Sequence, residues 1–172
     1  MPESYITDAM RGAIGTETER RVSYPVSASD IRRWALAVYY PELPPREYID
    51  EDYAAQQPSG GIIAPQEFNP FAWLVAKRIW PEVLPDRLNL DRIEIILGVP
   101  GPGLKSGFNG SNEAEYGVPM RPGDVITGVA RLAGYSERAG RFGLMLFTTI
   151  EDTWTNQNNE TVKRYRNTLI RY

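Results

Sequence analysis

The spacing of hydrophobic and polar residues changes several times along this 172-residue chain, and each spacing suggests an element. Residues 16–26, TETERRVSYPV, alternate loosely and end at Pro25, the pattern of an edge strand. In SASDIRRWALAVYY, Ile31, Trp34, Ala35 and Val38 recur at helical spacing and form a core-facing stripe. Ser27 is the cap of that helix, Asp30 the acid of its first turn and Pro41 its stop. PPREYIDEDYAAQQPSGG reads as a short helix between loops, with several acids outward.

The least polar stretch is GGIIAPQEFNPFAWLVAKRIW, residues 60–80. Proline deep inside a helix costs about 3 kcal/mol, so Pro70 belongs at a first helical position with Asn69 as cap. Pro65 starts an earlier turn. Phe71, Leu74, Val75 and Ile79 then make one face of a helix over 69–80, and Ala72, Trp73 and Ala76 widen it. Lys77 and Arg78 are expected to be the least buried positions of its second half. These charges, with Glu67 and Asn69, leave the run short of the ~20 apolar residues of a membrane span. A helix apolar on nearly every side must therefore be enclosed by something else, most simply a sheet.

Residues 91–97, DRIEIIL, alternate as a strand would. Residues 98–123 hold eleven Gly or Pro among 26 and read as irregular, interrupted by a short strand in NEAEYGV. The remainder is a three-strand meander. DVITGVARLAGY leads through SERAGR to FGLMLFTTIEDTW, and NQNNE leads on to TVKRYRNTLIRY. The sum is an α+β fold: an antiparallel sheet of five or six strands wrapped around a central helix. The length suits one domain, 1–172, with residues 1–15 as an N-terminal extension.

Composition narrows the chemistry. A net charge of −3 argues against broad, charge-driven nucleic-acid binding. Cysteine is absent, which removes disulfides and thiol chemistry and fits a reducing compartment. MPESYITDAMRGAIG lacks a basic region followed by an apolar one, so neither a signal peptide nor a membrane association is expected, and the expected location is cytoplasmic. The chain contains no histidine. That excludes the Ser-His and Cys-His nucleophile pairs, the commonest general base and the usual zinc sets, so no metal site is expected. Chemistry by this chain alone must use Asp, Glu, Tyr, Lys, Arg or backbone groups. The basic end, TVKRYRNTLIRY, is either a solvated strand face or a site for an anionic ligand.

NGSNEAEYGVPMRPGDVITG, YSERAGRFGLMLFTT, TNQNNETVKRYRNTLIR and GIIAPQEF together resemble the MaoC-like acyl dehydratase and enoyl-CoA hydratase family. The likeness spans roughly residues 16–172 and is closest to the family's N-terminal, non-catalytic-type hot-dog domain. It implies a single hot-dog fold, with GIIAPQEF opening the central helix. It implies hydration of 2-enoyl thioesters or the reverse, on acyl-CoA or acyl-carrier-protein substrates and without a further cofactor. The family's Asp/His dyad lies in a D-x-N-P-x-H pattern after the first helix. The matching stretch here, AVYYPELPPREYID, has no Asp-x-Asn-Pro and no His, so no catalytic residue carries over. The resemblance then implies a subunit that shapes the acyl tunnel while a partner hot-dog chain bearing D-x-N-P-x-H supplies the dyad. Self-association as a homodimer or higher oligomer is the alternative, and the first strand of the sheet is the expected seam.

Residues expected to line the substrate site are Ala64, Gln66, Glu67, Phe68, Asn69 and Phe71, beside the start of the helix, with Asn109, Gly110 and Asn112 from the Gly-rich segment. Asp124, in the RPGD turn, suits turn fixing better than catalysis. Arg164, Arg166 and Arg171 are candidates for CoA phosphates or for solvated positions. Tyr39 and Tyr40, near the missing Asp motif, read as packing. Two other functions stay open: a histidine-independent thioesterase with Glu67 or Glu113 as base, and a non-catalytic module that binds acyl thioesters.

Overall fold

The computed structural model describes residues 4–72, 76–79, 86, 88–141 and 143–172. In chain order the elements are α1 (Asp8–Gly12), β1 (Glu17–Ser23), α2 (Ala28–Tyr39), a 3-10 turn (Arg46–Tyr48) and α3 (Glu51–Ala55), then β2 (Ala76–Ile79), α4 (Arg92–Ile96), β3 (Gly107–Tyr116), β4 (Thr127–Gly140), β5 (Gly143–Thr155) and β6 (Thr161–Arg171). The strands form one six-stranded sheet in the order β2-β1-β4-β5-β6-β3. Every pairing is antiparallel. The α+β class and the meander β4-β5-β6 are as the sequence implies.

Local chemistry sets several elements. Ser27 Oγ accepts the Asp30 amide and opens α2, which ends at Tyr39 ahead of Pro41. Ile31 and Ala35 of its stripe are fully buried, whereas Val38 is exposed. At the β5–β6 turn, Asn156 Oδ1 accepts the amides of Asn158 and Glu160 at 3.0 Å. Residues 4–16 are stitched to the sheet: Met10 is fully buried, and the Gly15 amide donates to the Leu132 carbonyl at 2.8 Å.

Several expectations change. The described part of 69–80 is not a continuous helix. Asn69 does cap a turn, its Oδ1 accepting the Phe71 amide at 2.9 Å, but residues 76–79 form β2 and pair with β1. Residues 73–75 and 80, and the side chains of Lys77 and Arg78, lie outside what is described. A short apolar run satisfies helical and strand spacing alike, and the outer amides and carbonyls of β1 need partners. For the same reason β1 is not an edge strand. It lies between β2 and β4, so it cannot be the seam to another subunit; the sheet ends at β2 and β3.

Residues 92–96 form helix α4 rather than a strand. Asp86 and Asn89 accept the amides of Leu88 and Asp91 and wind the chain into it. The helix turns Glu94 inward to meet Arg171. SERAGR is mostly strand, since the β4–β5 ladder runs on to Gly140 and Gly143. The strand expected in NEAEYGV is longer, because all of 107–116 pairs with β6.

Arg171 is a further correction: it is fully buried, not a surface cation. Its guanidinium donates to both Glu94 carboxylate oxygens (3.0 and 2.7 Å), to Asp91, to the Leu90 carbonyl and to Thr148. Tyr135 donates to Glu94 Oε1 at 2.8 Å. Burial, then that bond to Glu94, pushes the Tyr135 phenol up, so it stays a donor. This cluster clamps the 88–99 segment onto the sheet. Replacing Glu94 with Ala leaves Arg171 buried without its main anion and is expected to lower stability by about 3–5 kcal/mol. Arg164→Ala, at an exposed ion pair, should cost under about 1 kcal/mol. Urea unfolding of the two variants checks the contrast; similar midpoints would refute a buried clamp.

Candidate functional site

The core and the site share one face of the sheet. Side chains alternate across a strand, so the register places Arg21 of β1, Gly128 of β4, Trp154 of β5, Lys163 of β6 and Tyr116 of β3 in one cross-strand row. Phe71 lies on this row. Its ring meets Trp154 edge to face, with centroids 5.1 Å apart, and the Arg21 guanidinium sits 4.7 Å from its centroid. Glycine at 128 allows that approach: an added Cβ would stand 3.1 Å from the Phe71 ring. Arg21 pairs with Asp152, which also accepts the Trp154 indole N–H at 2.9 Å. Phe71, Phe68, Ala64, Ile62, Ile31, Ile126 and Trp154 belong to one buried cluster. Segment 60–72 is thereby fastened to the sheet.

Beside this anchor lies a cavity of about 690 Å³. One wall is Ala64, Pro65, Gln66 and Glu67, a second is Trp34, Val38, Tyr39, Glu47 and Tyr48, and the third is Tyr116–Met120 with Val162. The third wall is set by the RPGD turn. Asp124 Oδ2 accepts the Arg121 amide at 2.7 Å and Oδ1 accepts the Gln157 amide group at 3.0 Å. The Ala64 amide donates to the Met120 carbonyl at 2.8 Å and ties the first wall to the third. A second cavity of about 620 Å³ lies on the other side of Trp34 and Val38, lined largely by apolar groups that include Phe68, with Asn69 at its edge.

The expected residues thus divide. Ala64, Gln66 and Glu67 line the first cavity, and Phe68 and Asn69 the second. Phe71 lines neither and is core. Asn112 joins indirectly: its Oδ1 accepts from Tyr165 at 2.7 Å, and the Tyr165 ring lies 5.6 Å from Lys163 Nζ. Asn109 and Gly110 sit at a bulge on exposed β3, apart from both cavities, and Glu113 is exposed on the same strand. Arg164 and Arg166 pair with Glu115 and Glu151 on the surface. Asp124 fixes the turn, as expected. Tyr39 packs near Tyr48, but Tyr40 is 81% exposed.

Sequence reasoning passed over Lys163, Tyr48, Trp34 and the 117–120 wall. Lys163 Nζ lies 2.9 Å from Glu67 Oε2 and 5.1 and 5.3 Å from the Tyr116 and Trp154 ring centroids. Strand alternation puts Lys163, Tyr165, Asn167, Leu169 and Arg171 on one face, but nothing in the sequence marks that face as the buried one. Burial, then the charge of Glu47 and the neighbouring Tyr39, pushes the Tyr48 phenol up to about 12. Tyr48 is therefore a hydrogen-bond donor at neutral pH and not a base. Among the described residues no group of His, Cys, Asp and Glu is placed to hold a metal ion.

A family model described as the FAS1-like, dehydratase domain region matches residues 12–165. The chain belongs to that family. No curated protein matches it. The fold of this FAS1-like dehydratase-region protein is similar to the ChsH1-ChsH2 complex from Mycobacterium tuberculosis (TM-score 0.64, 18% identity, 97% of this chain and 90% of that one). It is similar to the HadBC 3R-hydroxyacyl-ACP dehydratase complex from the same organism (TM-score 0.60, 18% identity, 96% and 98%). It is also similar to a MaoC-like dehydratase from Rhodospirillum rubrum (TM-score 0.55, 19% identity, 93% and 92%). These likenesses establish the MaoC-like hot-dog fold. No described helix is long and apolar enough to cross a membrane.

The pKa of Tyr48 carries a testable sign. A phenol held above its ordinary value of 10.0 favours folding below about pH 10, and that contribution is lost as pH rises toward about 12. Ultraviolet titration of the folded protein should show a late-ionising tyrosine that Tyr48→Phe removes. An unchanged titration curve in the variant contradicts the assignment.

Proposed function

We propose that this chain is the tunnel-shaping half of a MaoC-like enoyl-thioester hydratase or dehydratase, with a partner hot-dog subunit supplying the Asp/His dyad. One observation carries the reading. The cavity beside residues 64–67, where this fold family handles its acyl thioester, is walled by apolar groups and by Glu67, Glu47, Gln66 and three tyrosines, and by no imidazole. Hydration needs a group that activates water and another that moves a proton to the substrate. Nothing in this wall has the His-carboxylate geometry for both. The substrate is an acyl-CoA or acyl-carrier-protein thioester, and the two cavities parted by Trp34 and Val38 give room for a bulky acyl group.

The free edge of β3 supports partnership. All ten residues of Gly107–Tyr116 are exposed, and β3 ends the sheet, so its outer backbone groups are open to another strand. Two similar structures are the ChsH1-ChsH2 and HadBC complexes, and a heteromer or homodimer is the expected state here.

A second reading rests on Glu67, a carboxylate on the cavity wall, as the base of a histidine-independent thioesterase. Glu113 does not share that placement.

The isolated chain should hydrate crotonyl-CoA or longer 2-enoyl-CoA negligibly, because general acid–base help of about 10²–10⁴-fold is missing. With a partner bearing D-x-N-P-x-H it should support turnover that is lost when the partner's His is changed. Phe68→Ala should alter acyl-length preference. Robust hydration by the chain alone refutes the proposal, and CoA release from saturated acyl-CoA that Glu67→Gln abolishes establishes the second reading.

Light scattering should find the chain in a dimer or larger assembly. Exchange of a β3 edge position such as Ser111 for Pro should dissociate it. A 19.4 kDa species in the presence of every hot-dog partner contradicts the association.

A further inference from the structure

Three inward cations are held in different ways. Arg171 is fully buried against Glu94, itself fully buried, and several fixed oxygens. Arg21 is paired with Asp152, which is locked by the Trp154 indole. Lys163 is different. Its side chain is 7% exposed, yet the carboxylate paired with it, on Glu67, is 62% exposed and lies on the cavity wall.

A buried ammonium needs compensation for its lost hydration. The rings of Tyr116, Trp154 and Tyr165, all within 5.6 Å, offer part of it. The rest comes from one long, solvated side chain that a change of rotamer removes. Tyr116, which flanks the ammonium, lines the same cavity as Glu67. An anion entering from the cavity can therefore take the place of Glu67 with no change in buried charge. A neutral methyl terminus brings nothing to that position.

Resting on the acyl-thioester reading above, we propose that Lys163 is an anion subsite of the cavity, which takes a carboxylate carried at the far end of the acyl chain while Glu67 turns to solvent. The preferred ligands are thioesters of dicarboxylic acids. The phosphates of the CoA arm are the other source of negative charge, and a matched pair of ligands separates the two.

The test measures binding of adipoyl-CoA and hexanoyl-CoA to the purified full chain by calorimetry. Adipoyl-CoA should bind about tenfold or more tightly, the difference that a hydrogen bond between charged groups makes. Lys163→Met should erase the preference while hexanoyl-CoA binding persists. Glu67→Gln, whose amide oxygen still accepts from Lys163, should widen it by removing the competing carboxylate. Equal binding of the two ligands to the unaltered chain overturns the subsite. So does an equal loss of both on Lys163→Met, which marks a phosphate contact, or a Glu67→Gln variant with no wider preference. Failure of both ligands to bind overturns the acyl-thioester reading itself and the subsite with it.

Discussion

The contact between Phe71 and the sheet at Gly128 is the constraint from which the rest of the molecule follows. A Cβ at 128 would stand 3.1 Å from the ring and push it by a few tenths of an ångström from its seat between Trp154 and the Arg21 guanidinium. Because the ring seats, segment 60–72 is held against the sheet although most of it is neither helix nor strand. That puts Ala64 within reach of the Met120 carbonyl and hands Glu67 to Lys163. The cavity is the space left between this anchored segment, α2 and the 117–120 wall.

The same sheet face carries charge at both ends, which is costly unless every charge is met. At the Arg171 end the solution is saturation: a fork of guanidinium and carboxylate, with Thr148 and a phenol completing it. At the Lys163 end it is aromatic rings and one solvated acid. The first arrangement is closed and serves to hold α4. The second leaves an exchangeable partner beside a cavity.

The chemistry of the cavity is defined by which side chains are available. With no histidine in the chain, the wall offers the Tyr48 phenol, held above its ordinary pKa, and the carboxylates of Glu47 and Glu67, but no imidazole. The fold is one shared with MaoC-like dehydratases, and it leaves β3 as an open strand at the end of the sheet.

Much of the fold is legible in the sequence where its determinants are local. The caps at Ser27 and Asn69, the Asn156 turn, the RPGD turn and the alternation of β4, β5 and β6 each follow from neighbours a few residues apart. The resemblance to MaoC-like proteins rests on these same pieces, and the absence of histidine was decisive from composition alone. The tertiary structure decided what depends on distant partners. Residues 76–79 and 92–96 are short runs that fit either period, and β1 and Arg171 resolved them as strand and helix. Lys163 and Arg171 look like solvated basic residues in TVKRYRNTLIRY. Only the packing of Trp154, Tyr116 and Glu94 around them turns these cations inward, because the burial of a charge is set by the groups that compensate it, and those lie elsewhere in the chain.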